Sequence, residues 1–574
     1  MAGFLLEYPE TRELTGGDLL AQSLKTCGVE VAFGLHGGHL DAFLMGCEHI
    51  GIRLVDTRHE TVAVQAAEAY SKLTSKIGVC FVTANSGFSN GLPGLATALA
   101  DRDPILCITS SPPLRDAENN SLQGIIDQVV ASRPLTKFAH RMTNPEDTPR
   151  IISLAIRTAL SGAPGPVLVD FPIDVLFSPV HRPLISWGSI TSPLAYAPGP
   201  HAEAVERAAD RELIQLSTRT EIPIFDTQKC ATSFALLQSA FYAGGAGMLG
   251  LLRVVGKEAP DLILLLGART GMYLAGRSGA IIPQKNCTLI HVDVDGAEIG
   301  RTLPVELGVI SAVDQFVAAL NRQFSTGFNG AVDANWVQDA LSLRNLPSNF
   351  EKDPDSHAHG GLHPYHTVKQ VFSAIEPGSI VVLDGGEAGA WAGDLVHLCS
   401  PSAILKSTGN LGFLGNGFGY ALGAAIAAPD RKVVNLHGDG SAGFHFMELD
   451  TYKRFNLNIM TIVVNNYCWG MSSNGQELVY GTKNPARPAS SLSRVAEYET
   501  VGEGLGNASA RVDTISAVQE TVKRLQKVDG PSCINLIVDS KPIHPVTTLM
   551  VGQTEDPDMV VVPYYDNVPR PYYK

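Results

Sequence analysis

The apolar run KVVNLH ends in Gly438-Asp439-Gly440-Ser441, and a second run, IMTIVV, ends in Asn465-Asn466, about 27 residues after the aspartate. Two strand ends thus offer a carboxylate and an amide to one crevice. Hard oxygens of this kind suit Mg²⁺, which takes few protein ligands and completes its shell with phosphate oxygens and water. Gly440 lets the backbone approach a diphosphate closely, and the helix after Ser441 points its N-terminal amides at it. A GDG alone reads as a turn; GDG and NN at two strand ends form a far more specific pair. Nearer the N-terminus, IRLVDT runs into Arg58-His59-Glu60. By itself Glu60 is a first-turn acid favoured by the helix dipole. His36 and His39 lie in a Gly-rich loop just past another strand end. One histidine there would cap or face water, whereas two suggest proton handling at a substrate hydroxyl or carbonyl. His39 is the expected catalytic member and His36 its support.

Positioning these groups requires parallel sheets. VEVAFGL, IRLVDT, IGVCFVT, PILCITS and GPVLVDFP alternate with helical patterns over residues 14–180. Runs apolar throughout and separated by helices indicate parallel sheets covered on both faces. A second block carries IPIFDT, DLILLLGA and TLIHVDVD, and a third carries SIVVLDGG, KVVNLHGD, IMTIVVNN and SCINLIV. Pro-, Ser- and Gly-rich stretches at 184–203 and 345–365 read as linkers. The expected fold class is α/β, with three doubly wound domains at 1–185, 186–350 and 351–574. Ligands in such sheets sit beyond the carboxyl ends of the strands, where all the motifs fall.

Composition narrows the function. The net charge of −14 argues against nucleic-acid or anionic-membrane partners. Nine dispersed cysteines without a CxxC pair read as small buried hydrophobes rather than a disulfide framework. No apolar stretch reaches the roughly 18 residues of a membrane span. The N-terminal residues carry no leader pattern and the C-terminal PYYK is not a peroxisomal signal, so the cytoplasm is expected.

The GDG…NN pattern resembles the fingerprint of the thiamine-diphosphate-dependent enzymes. The resemblance implies that Asp439, Asn466 and the carbonyl of Cys468 bind Mg²⁺, and that Gly438, Gly440 and Ser441 line the diphosphate. It also implies that Gly412 and Leu414, in GNLGFLG, hold the cofactor's amino group and prop it into a bent shape. RHE before AAEAY resembles the catalytic helix start of that superfamily. There a glutamate, here Glu60, hydrogen-bonds the aminopyrimidine ring and favours its basic tautomer, and a carboxyl with a raised pKa in an apolar pocket can share that proton. FGLHGGHLD, DTRHE, AAEAYSK, LQGIIDQ, TKFAHR, AIRTALSGAPGPVLVDFP and GLHPYH read like benzaldehyde lyase; acetolactate synthases and 2-hydroxyacyl-CoA lyases share the layout. In this resemblance Gln123 bonds a substrate oxygen or a water, although it reads equally as a helix-surface residue. Asn85 and Ser86 match the loop near the pyrimidine. The implied activity is a carboligase or lyase that forms or cleaves 2-hydroxy ketones from aldehydes through an enamine. A homodimer or homotetramer is implied, with Glu60 serving a neighbouring chain's cofactor.

The chain also departs from benzaldehyde lyase. Gly389 and Ile173 stand where that enzyme has aromatic residues, Thr408 replaces a histidine and Met471 a small residue, which argues against benzaldehyde itself as substrate. Glu387 puts a carboxyl beside the cofactor position where the relative is apolar, to contact a polar substrate or to face water. Between Pro200 and Ile222 there is no room for the strand and helix that open the middle domain in relatives, and no GxGxxG is present, so no FAD site is expected. The Tyr- and Pro-rich tail reads as a strap over the surface or as a disordered end. Other functions compete: an acetolactate-synthase-like ligase decarboxylating a 2-oxo acid such as pyruvate, or a 2-hydroxyacyl-CoA lyase, which the His36/His39 pair disfavours, and a non-catalytic paralogue, which intact Glu60, Asp439 and Asn466 disfavour.

Overall fold

Runs of β-branched and aliphatic residues become the central strands of two six-stranded parallel sheets. The computed structural model describes residues 13–116, 119, 121–190, 202–227, 234–276, 279–327, 330, 332–346, 348–357, 361–480, 486–549, 552–553, 559–562 and 565–569. The N-terminal sheet contains β1 (Val31–Gly34), β2 (Arg53–Asp56), β3 (Gly78–Val82), β4 (Ile105–Ser111), β5 (Phe138–Arg141) and β6 (Val167–Pro172), in the order β2-β1-β3-β4-β6-β5. In the middle domain β7 (Ile224–Asp226) pairs with β8 (Tyr242–Gly245), while β9 (Leu262–Leu266), β10 (Thr288–Asp293) and β11 (Leu307–Ile310) form a second small parallel sheet. A short antiparallel pair, β12 (Ser356–His357) and β13 (Gly361–Leu362), precedes the C-terminal sheet. That sheet contains β14 (Ile380–Leu383), β15 (Ala403–Lys406), β16 (Val433–Gly438), β17 (Ile459–Asn465), β18 (Ala508–Val512) and β19 (Ser532–Ile537), in the order β15-β14-β16-β17-β19-β18. The two large sheets share one strand permutation. Each reverses direction of winding at a switch point, β1/β3 in one and β14/β16 in the other, and such points open a crevice at the carboxyl ends.

The three α/β domains fall into two compact units. The first takes the described residues of Met1–Ala202, Gly409–Pro429 and His445–Leu457; the second takes those of Glu203–Thr408, Asp430–Phe444 and Asn458–Lys574. In the first unit Phe33, Phe43, Phe88 and Phe171 are fully buried, and burial of each such side chain contributes about 1.5–3 kcal/mol. Helix Glu60–Thr74 packs there on helix Gly417–Ala427. A Cβ at Gly419 would lie 2.5 Å from the Gln65 Cβ, and one at Gly423 2.2 Å from the Ala66 carbonyl. The Gly/Ala face therefore lets the two backbones approach. In the second unit Val381, Val434, Leu436, Ile462 and Leu536 form the core of the C-terminal domain.

Two expectations change. The space between Pro200 and Ile222 does hold a helix, Ala202–Thr220. Its charged sequence, AEAVERAADRELIQLSTRT, lacks the long apolar face that would have announced it. The described part of the 345–365 stretch is docked, because the Phe350 ring lies 4.9 Å edge-on to Trp391 and Tyr365 donates to Glu351 at 2.6 Å. Among the described cysteines, Cys47, Cys80, Cys107, Cys399 and Cys533 are buried and none is in a disulfide. No described helix is long and apolar enough to cross a membrane. Part of the tail forms three antiparallel strands, β20 (Gly552–Gln553), β21 (Met559–Val562) and β22 (Tyr565–Pro569).

Candidate functional site

In the first unit the site groups follow β1, β2 and β3. Glu60 opens helix Glu60–Thr74 and is buried. The helix is capped by the His59 ring, whose Nδ1 accepts the Thr61 N–H at 3.2 Å, and Ser75 in the left-handed region ends it. Asn90 Nδ2 donates to Glu60 Oε2 at 3.0 Å. The other carboxyl oxygen lies 3.2 Å from where a Gly87 Cβ would be, and that same point is 2.9 Å from Thr83 Cγ2. A Cβ at Gly37 would sit 2.2 Å from Thr83 Oγ1. Gly37, Thr83, Gly87 and Glu60 thus form one continuous wall, and two of its members must be glycine. Thr83 Oγ1 is buried with no hydrogen-bond partner.

His39 lies in the 3₁₀ turn Gly38–Leu40, half-buried. Burial pushes its pKa below the usual imidazole value. His36 is exposed, and its Nε2 lies 2.9 Å from Asp41 Oδ1. The two histidines therefore differ in environment, and His39 is the more shielded from water.

Gln123 sits in a loop with φ +61°, not on a helix surface, and its amide donates to Ser86 Oγ at 3.1 Å. Asn85, at φ +49°, accepts the Ile126 N–H on Oδ1 at 2.6 Å, while its buried Nδ2 has no partner. These two bonds fasten the LQGIID loop to the start of helix Ser86–Asp101. Gly412, at φ +68°, and half-buried Leu414 lie in the turn before helix Gly417–Ala427. That turn is held by Asn410, whose N–H and Nδ2 each donate to Asp101 Oδ1 at 2.9 Å.

Asp101 belongs to a buried acidic group with Glu68 and Asp103, close enough to share an ion. The Lys72 ammonium already fills that place, 2.5 Å from Asp103, 3.7 Å from Asp101 and 3.7 Å from Glu68. Tyr420 donates to Glu68 at 2.6 Å. With the Lys72 ammonium at its centre, the cluster anchors the 409–415 turn through Asp101.

In the second unit Asp439 follows β16 and Asn466 follows β17, on adjacent strands. Asp439 is buried, and its Oδ2 has no hydrogen-bond partner. Burial pushes the carboxyl up to about 7, against the backbone amides of Gly440, Asp439, Tyr467 and Cys468, which hold it down. The GDG and NN segments are thus brought together around one carboxylate. Tyr467 takes φ +60°, and the Cys468 N–H bonds Asn466 Oδ1 at 3.2 Å. Burial raises the Cys468 thiol to about 11, so any contribution of this residue to a hard metal is through its carbonyl. Gly440 answers to a tight contact, since a Cβ would fall 2.6 Å from the Trp469 ring. Ser441 turns its hydroxyl back to the Gly438 carbonyl at 3.1 Å.

Glu387, after β14, is buried and clamped. Asn474 Nδ2 donates to both of its oxygens at 2.9 and 3.0 Å, and Thr547 Oγ1 donates at 2.6 Å. It neither faces water nor stands free for a substrate; it ties helix Glu387–Leu395 to helices Gly470–Tyr480 and Pro545–Leu549. A Cβ on Gly470 would meet both Asn466 Nδ2 at 2.9 Å and Glu387 Oε2 at 3.2 Å, so the clamp borders the metal loop. Asn90, Thr83, Asn474 and Thr547 escape a sequence reading. Only Asn90 left a signal, one helical turn beyond Ser86 in TANSGFSN.

A buried carboxylate with a free oxygen beside an amide and a backbone turn fits a divalent cation and a diphosphate. Three domains of the thiamine pyrophosphate enzymes match the chain: the N-terminal binding domain over residues 14–131, the central domain over 201–320 and the C-terminal binding domain over 384–536. A probable acetolactate synthase of Mycobacterium bovis is 29% identical, with 92% of this chain and 96% of the relative covered. A 2-hydroxyacyl-CoA lyase 2 of Caenorhabditis elegans is 29% identical over 89% of this chain and 86% of its own. Acetolactate synthase isozyme 1 large subunit of Escherichia coli is 26% identical, with 95% and 98% covered.

Proposed function

The chain belongs to the thiamine pyrophosphate enzymes, and from that premise we propose that it forms or cleaves 2-hydroxy ketones, exchanging them with aldehydes. In this reading Asp439, Asn466 and the Cys468 carbonyl hold Mg²⁺. Gly438, Gly440 and Ser441 border the diphosphate, and Gly412, Leu414, Asn85 and Ser86 border the rings. The bound cofactor supplies an electron sink for the bond next to a carbonyl. Glu60 holds a proton at the pyrimidine, oriented by Asn90. Glu387 fixes the metal loop from behind.

The observation that carries the acyloin reading is His39. It is half-buried in a Gly-rich turn, and burial lowers its pKa, which favours the neutral ring. A neutral imidazole can take the proton of a substrate hydroxyl as the carbon–carbon bond breaks and return it when the bond forms. Gln123 bonds the substrate oxygen, and His36, bonded to Asp41, supports the loop. A homodimer or homotetramer in the cytoplasm is the form proposed.

A second reading, favoured by the relatives, is release of CO₂ from a 2-oxo acid such as pyruvate, or cleavage of a 2-hydroxyacyl-CoA. The test is a panel of acyloins, aldehydes and pyruvate offered to purified protein with thiamine diphosphate and Mg²⁺. Aldehyde released from an acyloin supports the proposal. Turnover of pyruvate without any acyloin chemistry would overturn it.

A further inference from the structure

We propose that Glu448 is a positioning residue for Glu60: its carboxylate holds the turn from which the Glu60 helix starts. The proposal rests on the reading that Glu60 is the acid at the pyrimidine. Glu448 begins helix Glu448–Arg454 and is 1% exposed. Its Oε1 accepts the N–H groups of Arg58 at 2.8 Å and His59 at 3.1 Å. Its Oε2 accepts the Thr451 hydroxyl at 2.6 Å.

Those two amides immediately precede Glu60, at the end of a helix where backbone donors have no intrahelical acceptor. A buried carboxylate is tolerable only when bonded, and this one has three donors. The same helix grips the turn elsewhere. Arg454 Nη1 donates to both Asp56 carboxylate oxygens at 2.7 and 2.8 Å, and Arg58 lies 3.7 Å from Asp450. Asp56, Arg58 and His59 are therefore all held from one neighbouring helix. Glu60 takes its position from this turn and from Asn90. A displacement of about 1 Å at a reacting group costs up to roughly 100-fold in rate, so a carboxylate that never touches substrate can still set turnover.

The test compares Glu448→Leu, Glu448→Gln, Arg454→Met and Glu60→Gln in the full chain. One readout is exchange of the C2 proton of bound thiamine diphosphate for deuterium in the Mg²⁺-loaded enzyme. The other is backbone amide exchange of residues 56–62 without cofactor. Glu448→Leu is expected to slow C2 exchange roughly 10- to 100-fold with cofactor affinity within about twofold, and to speed amide exchange at the turn alone. Glu448→Gln keeps an acceptor for both amides and is expected to stay within about threefold of the unsubstituted chain. Arg454→Met cuts the outer tie and keeps the test decisive if the leucine variant fails to fold, with C2 exchange expected at least about threefold slower. Normal C2 exchange in Glu448→Leu or in Arg454→Met overturns the proposal, as does equal impairment of the glutamine and leucine variants. If Glu60→Gln itself exchanges normally, the reading of Glu60 falls and the positioning role falls with it. If only the Glu448 and Arg454 variants are normal, Glu60 stands and the positioning role alone is wrong.

Discussion

Asp439→Asn should stabilise the cofactor-free chain at alkaline pH while abolishing its response to Mg²⁺. Burial raises the Asp439 carboxyl from 3.8 to about 7. A folded pKa above the unfolded one means that the fold holds the proton more tightly, so the associated stability is complete below about pH 4 and lost as pH rises through about 7. A rise of that size corresponds to about 4 kcal/mol in all, of which about 3 kcal/mol is lost between pH 5 and pH 8. The amide has no such titration. The variant's advantage over the unsubstituted chain should therefore grow by about 3 kcal/mol between those pH values, read as a melting temperature that falls further for the unsubstituted chain than for the variant. Thermal unfolding of both cofactor-free proteins at pH 5 and pH 8 measures it. Thiamine diphosphate with Mg²⁺ should then raise the melting temperature of the unsubstituted chain by mass action and leave the variant unmoved. An advantage that is the same at both pH values would refute the burial argument. An undiminished response to Mg²⁺ and cofactor would refute the ligand assignment.

Lys72→Met leaves three buried carboxylates without their cation and should cost about 3–5 kcal/mol, read in denaturant titration; a cost under about 1 kcal/mol would mean that the cluster is solvated or protonated. Gly440→Ala drives a methyl into the Trp469 ring and should weaken cofactor retention at least about tenfold, measured by equilibrium dialysis. His39→Ala should lower acyloin turnover roughly 10²-fold or more, whereas the same change at exposed His36 should cost about tenfold or less; a steady-state comparison giving the reverse order would exchange their roles.

Legibility in the sequence followed burial. Strands β3, β4, β16, β17 and β19 are covered on both faces and stand out as unbroken apolar runs. In the two large sheets the strands that carry no clear run, β5, β15 and β18, are all at sheet edges, and the partial burial of Phe138–Arg141 and Ala508–Val512 erases the run. Asp439 and Asn466 were legible because each ends a central strand. Gln123 misled as a helix-surface candidate because its left-handed backbone leaves no mark in LQGIID. Glu387 misled because its partners, Asn474 and Thr547, come from distant helices. Glu448 leaves no signal, since the amides it holds lie some 390 residues away. Such contacts are created by the fold and carry no local pattern.

The proposed acyloin chemistry at a Mg²⁺–thiamine diphosphate site is decided by kcat/KM for aldehyde release from a 2-hydroxy ketone against kcat/KM for CO₂ release from pyruvate, in one preparation and with Mg²⁺ and cofactor present or withheld. The first is expected to exceed the second by at least about tenfold, equivalent to about 1.4 kcal/mol of transition-state preference, and both should vanish without the cofactor. Faster pyruvate decarboxylation, or aldehyde release that persists without thiamine diphosphate, would contradict it.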